Sequence, residues 1–301
     1  MRRKLVQQGS GTLMVSLPAK WIKAHKLRKG SEVEIEASSS QIILAPNLIK
    51  IKRDTEIKLS DLTESSIRTL ITNTYRKGFD RITVHYQDEA QFKILKEVIL
   101  NNLIGFEIIN NNKGVCLVEN ITEPTSEQFE VILKKIFFNI DLLFDKTMER
   151  LTTSPEDQEY KEIENRIIKY DNFCRRIVNK NKLEHTSPEF FWTFLTLINH
   201  GQREIYLLNK IIDEKELSPK NVLKLLEKTK ELYRLIQEAF FTKKTENFSQ
   251  IHQLEKQLIY GQGYQALKTV APSERIAIYH LLAAIRNFYQ SNSPLLGLIL
   301  D

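Results

Sequence analysis

The first 46 residues limit what this chain can fold into, because short apolar runs alternate there with turn residues. The pattern predicts a β-β-α-β-β order, with strands at residues 3–7, 12–17, 31–37 and 41–46 and a helix at 19–25. Pro18 suits the start of the helix, and Gly30 suits the turn after it. A unit below about 60 residues rarely holds a core without disulfides, a metal or a partner chain. We therefore expect the segment to interleave its hairpins with those of a second copy.

The excess positive charge lies in the same segment. Residues 1–31 contain eight Lys or Arg and no acid, and the net charge is +8 over residues 1–53 but −2 over the rest. This asymmetry is typical of a nucleic-acid-binding unit attached to a charge-balanced body. A solvated basic face and a patch for a membrane surface are the alternatives that charge alone leaves open.

This segment resembles the SpoVT/AbrB/MazE swapped-hairpin family. The family pattern has a Gly, an apolar strand, a Pro that opens a short helix, a Leu, a basic-Gly turn and two strands. The matching positions here are Gly11, residues 13–17, Pro18, Leu27, Lys29-Gly30 and residues 33–46. The resemblance implies a swapped-hairpin β-barrel built by a homodimer, with basic strands and loops lying on double-stranded DNA.

Lysine and arginine contacts to phosphates supply much of the affinity of a protein for DNA, so the basic residues of this segment are the candidate DNA-binding residues. Hydroxyl groups beside the glycine turn would add neutral phosphate contacts. The predicted DNA-binding residues are Arg2, Arg3, Lys4, Ser10, Thr12, Lys20, Lys23, Arg28 and Lys29. Lys26 flanks the same turn as Arg28 and Lys29.

Residues 51–122 are predicted to form a small α/β connecting domain. A strand is expected at residues 57–59, a helix capped by Ser60 or Asp61, a strand at 81–86 and a helix at 88–103. A hairpin is expected around the loop at residues 111–114. The segment carries no catalytic signature, and we expect no enzyme activity from the chain.

In the predicted domain at residues 123–301, residues 125–291 show helical periodicity, with breaks near 154, 184, 217, 244 and 270 and a last helix at 272–290. They predict a bundle of six helices in two three-helix halves. Gly261-Gln262-Gly263 indicates a kink, and the aromatic residues at 190–194 indicate a core or dimer contact. Joined to the basic head, this bundle resembles the archaeal PhoU-like phosphate uptake regulators, which makes the whole chain a multidomain α+β protein.

The resemblance to the PhoU-like proteins implies an acidic E/D-x-x-x-D motif that binds metal clusters. Asp171 fits one acidic position, but Arg175 stands at the second, and the other half offers only His252 and Glu255. The pair Asp141 and Asp145 shares a helix face and is interpreted as solvated surface. We therefore expect no metal and no other cofactor.

The sequence thus predicts a DNA-binding transcription regulator, with phosphate uptake as the context and with a protein partner or small effector at the bundle. No long apolar window and no apolar core behind the basic start are found, and Cys116 and Cys174 lie far apart. These features predict a cytoplasmic protein with reduced thiols, no secretory signal and no membrane insertion. The alternatives are an accessory protein that docks on a phosphate transporter or signalling kinase, and a MazE-like antitoxin.

Overall fold

A computed structural model describes residues 2–37, 42–45, 52–60, 63–122, 126–181, 187–214 and 219–300. The chain divides into two compact units, residues 1–52 and 53–301. The second unit contains two separate hydrophobic cores, one in its α/β part and one in its helical part. The partition into domains at 1–50, 51–122 and 123–301 stays a prediction, although its first boundary falls close to the division between the two units.

The first unit consists of two β-hairpins with a short helix between them in the chain. β1 (Val6–Gln8) pairs antiparallel with β2 (Thr12–Met14), α1 spans Ala19–Ala24, and β3 (Glu34–Ala37) pairs antiparallel with β4 (Ile42–Ala45). The predicted order of elements is confirmed, and each element is shorter than expected. Within the described residues of one chain the hairpins form separate two-stranded sheets, so a closed barrel stays a prediction for the dimer.

The α/β part of the second unit is a four-stranded sheet with two helices. Its elements are β5 (Asp54–Lys58), α2 (Glu64–Arg76), β6 (Arg81–His85), α3 (Glu89–Asn102), β7 (Phe106–Asn112) and β8 (Val115–Asn120). The strand order is β5-β6-β8-β7, with β5 parallel to β6 and the other pairs antiparallel. Ile67, Ile71 and Leu95 are buried in this core as the helical periodicity predicts.

Two details of this part differ from the prediction. The cap of α2 is Thr63, whose hydroxyl accepts a hydrogen bond from the Ser66 main-chain N–H at 3.3 Å, and not Ser60 or Asp61; Asp61 lies outside the described residues. The hairpin between β7 and β8 turns through Lys113 and Gly114 alone, both with positive φ. A two-residue turn of this kind matches the twist of paired strands, so residues 111 and 112 join the ladder instead of the loop.

The helical part contains the long helices that the periodicity predicts, and one more. They are α4 (Ser126–Thr152), α5 (Glu159–Asn181), α6 (Pro188–Glu214), α7 (Pro219–Thr242), α8 (Asn247–Lys256), a π-helical segment (Gln257–Gly263), α9 (Tyr264–Thr269), α10 (Pro272–Gln290) and α11 (Asn292–Leu300). The prediction missed α11, because Pro294 and Gly297 are helix breakers in a helix interior. Pro294 lies in the first turn of α11, where a missing N–H breaks no intrahelical bond.

The π-helical segment contains Gly261-Gln262-Gly263, where the sequence predicts a kink. A Cβ atom on Gly263 would lie 2.2 Å from Leu282, so the missing side chain lets this segment approach α10. One hydrophobic core runs through both predicted halves of the bundle, and α6 packs closely on α10. Helices α2 and α3 pack on α5, which joins the α/β part to the bundle. Among the described helices, none has the length and apolarity that crossing a bilayer requires.

Candidate nucleic-acid interface

The first hairpin presents the two predicted hydroxyl residues at its turn. Gly9 has φ 71°, a left-handed conformation that glycine adopts without strain, and it brings Gln8 opposite Thr12 in the ladder. Ser10 lies in the turn and Thr12 begins β2, and both are exposed. Arg2, Arg3 and Lys4 lie on the exposed extended chain that leads into β1.

Helix α1 carries the next pair of predicted residues. Pro18 occupies the N-cap position, one residue before the helix, and Trp21 and Ile22 form its half-buried side. Lys20 and Lys23 are exposed and three residues apart, a spacing that places both on one face of the helix.

The end of α1 contains a strained residue that the predicted DNA-binding set leaves out. The main-chain N–H of Leu27 donates to Ile22 O at 3.0 Å and that of Lys26 to Lys23 O at 3.2 Å, which is a Schellman motif. Lys26 has φ 54° at the position where glycine is usual. A side chain costs about 1–2 kcal/mol in this conformation. In the sequence, the signal for this strained position is a lysine where the end of a helix usually has a glycine.

The turn after α1 holds Arg28 and Lys29 at its surface. The main-chain N–H of Arg28 donates to Ser31 Oγ at 2.9 Å, the N–H of Ser31 donates to Arg28 O at 2.9 Å, and Gly30 has φ 86°. These bonds close the turn without using either basic side chain. Arg28 and Lys29 are therefore exposed on an ordered loop.

All the basic residues of this unit from Arg2 to Lys29 are exposed, and in the part of the chain that the structure describes none of them forms an ion pair with an acid. The structure places three of them before β1, two on one face of α1, Lys26 at the end of that helix and two in the following turn. Among the described residues, no hydrogen bond or ion pair joins these basic side chains to one another.

Among the residues of the first unit whose burial the structure describes, none is buried. Several large apolar side chains of its hairpins are exposed, among them Leu13 at 62%, Ile35 at 63% and Ile42 at 66%. The second unit, in contrast, buries its apolar residues in two cores. Apolar side chains left in water do not contribute the hydrophobic stabilisation that folding usually gains, and an exposed apolar patch is typical of an interaction surface.

Three acidic residues that the sequence analysis considered for metal binding, Asp141, Asp145 and Asp171, are paired with basic ones. Lys230 Nζ lies 2.5 Å from Asp145 Oδ1 and Arg234 Nε 3.1 Å from Asp141 Oδ1. Arg175 Nε lies 2.8 Å from Asp171 Oδ2, so the residue at the second motif position neutralises the first. The described residues hold no group of three or more His, Cys, Asp or Glu placed for a metal ion.

Comparison with known proteins identifies the first unit. Residues 6–55 match the family model described as antidote-toxin recognition MazE, bacterial antitoxin. No curated protein and no solved structure matches the chain. The family match covers the hairpins, α1 and the exposed basic residues from Lys20 onward, in agreement with the sequence pattern. The N-terminal unit of this protein is therefore a MazE/AbrB-like domain.

Proposed function

We propose that this protein is a homodimeric DNA-binding transcription regulator whose first unit binds double-stranded DNA. The observation that carries the proposal is the combination of exposed cations, unpaired within the described residues, with the exposed apolar side chains of the hairpins. A second copy would supply the missing interior and would double the number of cations. The match to the MazE family model supports both parts of the proposal.

The basic groups act mainly as phosphate contacts in this proposal. Lys20 and Lys23 of α1, and Arg28 and Lys29 of the following turn, bind the DNA backbone together with the N-terminal arginines. Each neutralised phosphate releases counterions, so the logarithm of the binding constant falls with the logarithm of salt by about 0.9 per contact. Ser10 and Thr12 add hydrogen bonds that fix the register of the hairpin on the backbone.

The test is DNA binding by the full-length chain, measured by fluorescence anisotropy over a range of salt concentrations. The double variant Lys20→Ala with Lys23→Ala should weaken binding and lower the salt slope by about two per protomer that contacts DNA. Lys93→Ala with Lys96→Ala is the matched control, because these lysines are also exposed and three residues apart on a helix. Weak, salt-independent binding by the wild-type protein, or equal losses in both double variants, would refute the proposal.

The function of an antitoxin is the second candidate, because the matched family is described by toxin recognition. An antitoxin commonly neutralises its partner with a segment that folds on binding. Here the helices after residue 126 already share one hydrophobic core. Limited proteolysis separates the two functions: a protease-resistant second unit favours the regulator, and rapid loss of that unit favours the antitoxin.

Regulation of phosphate uptake is the context that the resemblance of the bundle suggests, and the second unit is the place for the signal or partner. Docking on a transporter or a kinase through the bundle is the related alternative. Transcript levels in cells with and without the gene, at high and low phosphate, test the regulatory context. Altered phosphate transport without altered transcripts would favour docking.

A further inference from the structure

We propose that the second unit binds an anionic nucleotide in a cleft between α2, α5 and α6. The cleft has a volume of about 720 Å³ and lies where α2 packs beside the bundle. If the protein is the proposed regulator, the nucleotide is its effector, and this effector role rests on the proposed function. The binding itself does not, because it is measured without DNA.

The α2 side of the cleft follows from the sequence of that helix. Ser66, Thr69, Asn73 and Lys77 recur at spacings of three and four residues, so they lie on one face, and all are exposed. The opposite face carries Ile67, Ile71 and Tyr75, which are buried against the sheet. Helix α2 is therefore amphipathic. Its apolar face packs in the core, and its polar face lines the cleft.

The charge of the lining favours an anion. Arg76 and Lys77 both line the cleft, and no carboxylate is among its lining residues. Arg76 is held in place, with Nε donating to Asn172 Oδ1 at 2.8 Å and Nη2 lying 3.4 Å from Asp171 Oδ2. Lys77 forms no ion pair within the described residues. A lysine ammonium next to a guanidinium is a suitable partner for a phosphate group, and the hydroxyls of Ser66 and Thr69 add polar groups farther along the same cleft.

The bundle side of the cleft contributes an aromatic wall. Trp192 of α6 lines the cleft, and the guanidinium carbon of Arg175 lies 4.7 Å from the centre of its ring. Arg175 also donates to Thr196 Oγ1 at 2.9 Å, which fixes the guanidinium beside the indole. Stacking of a nucleobase on an aromatic side chain contributes about 1–3 kcal/mol.

Two amide side chains complete the lining. Asn179 donates through Nδ2 to Arg76 O at 2.8 Å, and Asn73 accepts through Oδ1 from Arg76 Nη1 at 3.4 Å. The remaining amide atoms, Asn179 Oδ1 and Asn73 Nδ2, have no partner in the described part of the protein. One is an acceptor and the other a donor, the pair that the edge of a nucleobase requires. Cations with hydroxyls and an aromatic ring with amides together fit a phosphate and a base in one molecule.

Three other cavities formed by described residues of the second unit lack this combination. The cleft beside Phe129 and Phe241 is largely apolar and contains Glu130. The groove beside Lys230 contains several carboxylates, and the one beside Lys224 has no aromatic side chain.

The experiment uses the full-length chain with Trp21→Phe, which leaves Trp192 as the only tryptophan. AMP, GMP and UMP are titrated while Trp192 fluorescence is followed, with calorimetry as a second readout and adenosine and inorganic phosphate as the two half-ligands. Saturable binding of at least one nucleotide, tighter than both half-ligands, supports the proposal. Lys77→Ala should weaken it by about tenfold or more, as expected for loss of a charged hydrogen bond.

The matched control is Lys93→Ala, an exposed lysine on α3 outside the cleft, which should bind as the parent does. Absence of binding by all three nucleotides overturns the proposal. Phosphate binding as tight as that of the nucleotides also overturns it, because the aromatic wall then contributes nothing. Loss of DNA binding in other assays would refute the proposed function and leave this result unchanged.

Discussion

Arg176 of α5 donates to Asp80, with Nη2 lying 2.6 Å from Oδ1, and both side chains are almost fully buried. Lys180 Nζ lies 2.5 Å from the same oxygen, and the other oxygen, Oδ2, accepts from the main-chain N–H of Arg53 at 3.1 Å. Arg53 is the first residue of the second unit. Asp80 therefore joins the bundle directly to the point in the chain where the first unit ends.

Replacement of Asp80 should destabilise the second unit strongly. Asp80→Ala removes the carboxylate and leaves the Arg176 guanidinium buried, and losing one partner of a buried ion pair costs about 3–5 kcal/mol. Denaturant unfolding of the full chain measures the change. Asp54→Ala is the control, because Asp54 is exposed and lies 3.8 Å from Arg81, a surface pair worth less than about 1 kcal/mol. Equal effects of the two substitutions would contradict the structural role of Asp80.

Lowering the pH should destabilise the protein by protonating Asp80 and so weakening the same ion pair. Burial raises the pKa of Asp80, but hydrogen bonds from Lys180 and the Arg53 main chain, with the charges of Lys180 and Arg176, outweigh it and hold the pKa below its ordinary value. A depressed folded-state pKa adds stability above the unfolded value of about 3.9, and this stability is lost as pH falls through the folded pKa. The free energy of unfolding, measured from pH 6 downward, should therefore decrease less steeply for Asp80→Asn than for the wild-type protein.

Gly201→Ala should destabilise the second unit, although alanine normally favours a helix more than glycine does. A Cβ atom at this position of α6 would lie 2.4 Å from the Phe288 ring of α10. Gly201→Ala should lower the free energy of unfolding by about 1–3 kcal/mol through overpacking. A Cβ on Gly261 would meet nothing within 4 Å, so Gly261→Ala should be neutral or stabilise by up to about 1 kcal/mol. The midpoint of thermal unfolding of both variants measures the difference between a glycine with a side chain packed against it and a glycine with free space around it.

Lys26→Gly should stabilise the first unit while weakening its binding to DNA. Glycine removes the strain at φ 54°, and after its larger loss of chain entropy the net gain is about 0.5–1 kcal/mol. A Trp192→Phe background leaves Trp21 of α1 as the reporter of unfolding, at a fixed protomer concentration because the unit is proposed to be a dimer. A lower DNA affinity in the more stable variant would assign Lys26 to the interface. Unchanged affinity would restrict it to the end of the helix.

The dimer should depend on the exposed apolar residues of the hairpins. Leu13→Asp should dissociate it, because burying each copy of this side chain contributes about 1.5–3 kcal/mol. Analytical ultracentrifugation measures the effect, and DNA affinity should fall with it. Leu100→Asp is the control, since Leu100 is 73% exposed on α3 of the second unit. A wild-type protein that sediments as a monomer at all accessible concentrations would exclude the proposed dimer.

Local patterns predicted the elements well where neighbouring residues decide the structure. The order of strands and helix in the first unit and the long helices at the predicted breaks follow from periodicity, proline and glycine. The α11 helix was missed because its burial on α6, through Leu295 and Leu298, outweighs the helix-breaking residues in its sequence. The cap at Thr63 was missed because several polar residues precede α2, and only the course of the chain selects one of them.

The amino-acid sequence alone determined that the first unit is basic, that it resembles the SpoVT/AbrB/MazE family and that most of the second unit is helical. Charge and periodicity are properties of neighbouring residues, so they can be read without the tertiary structure. Only the tertiary structure decided which distant residues meet, such as Arg176 with Asp80 and Lys230 with Asp145, and that Trp192 lines one cleft with the polar face of α2. Those partners are separated by many residues in the chain. Their contacts arise from the packing of whole helices, which the local sequence does not specify.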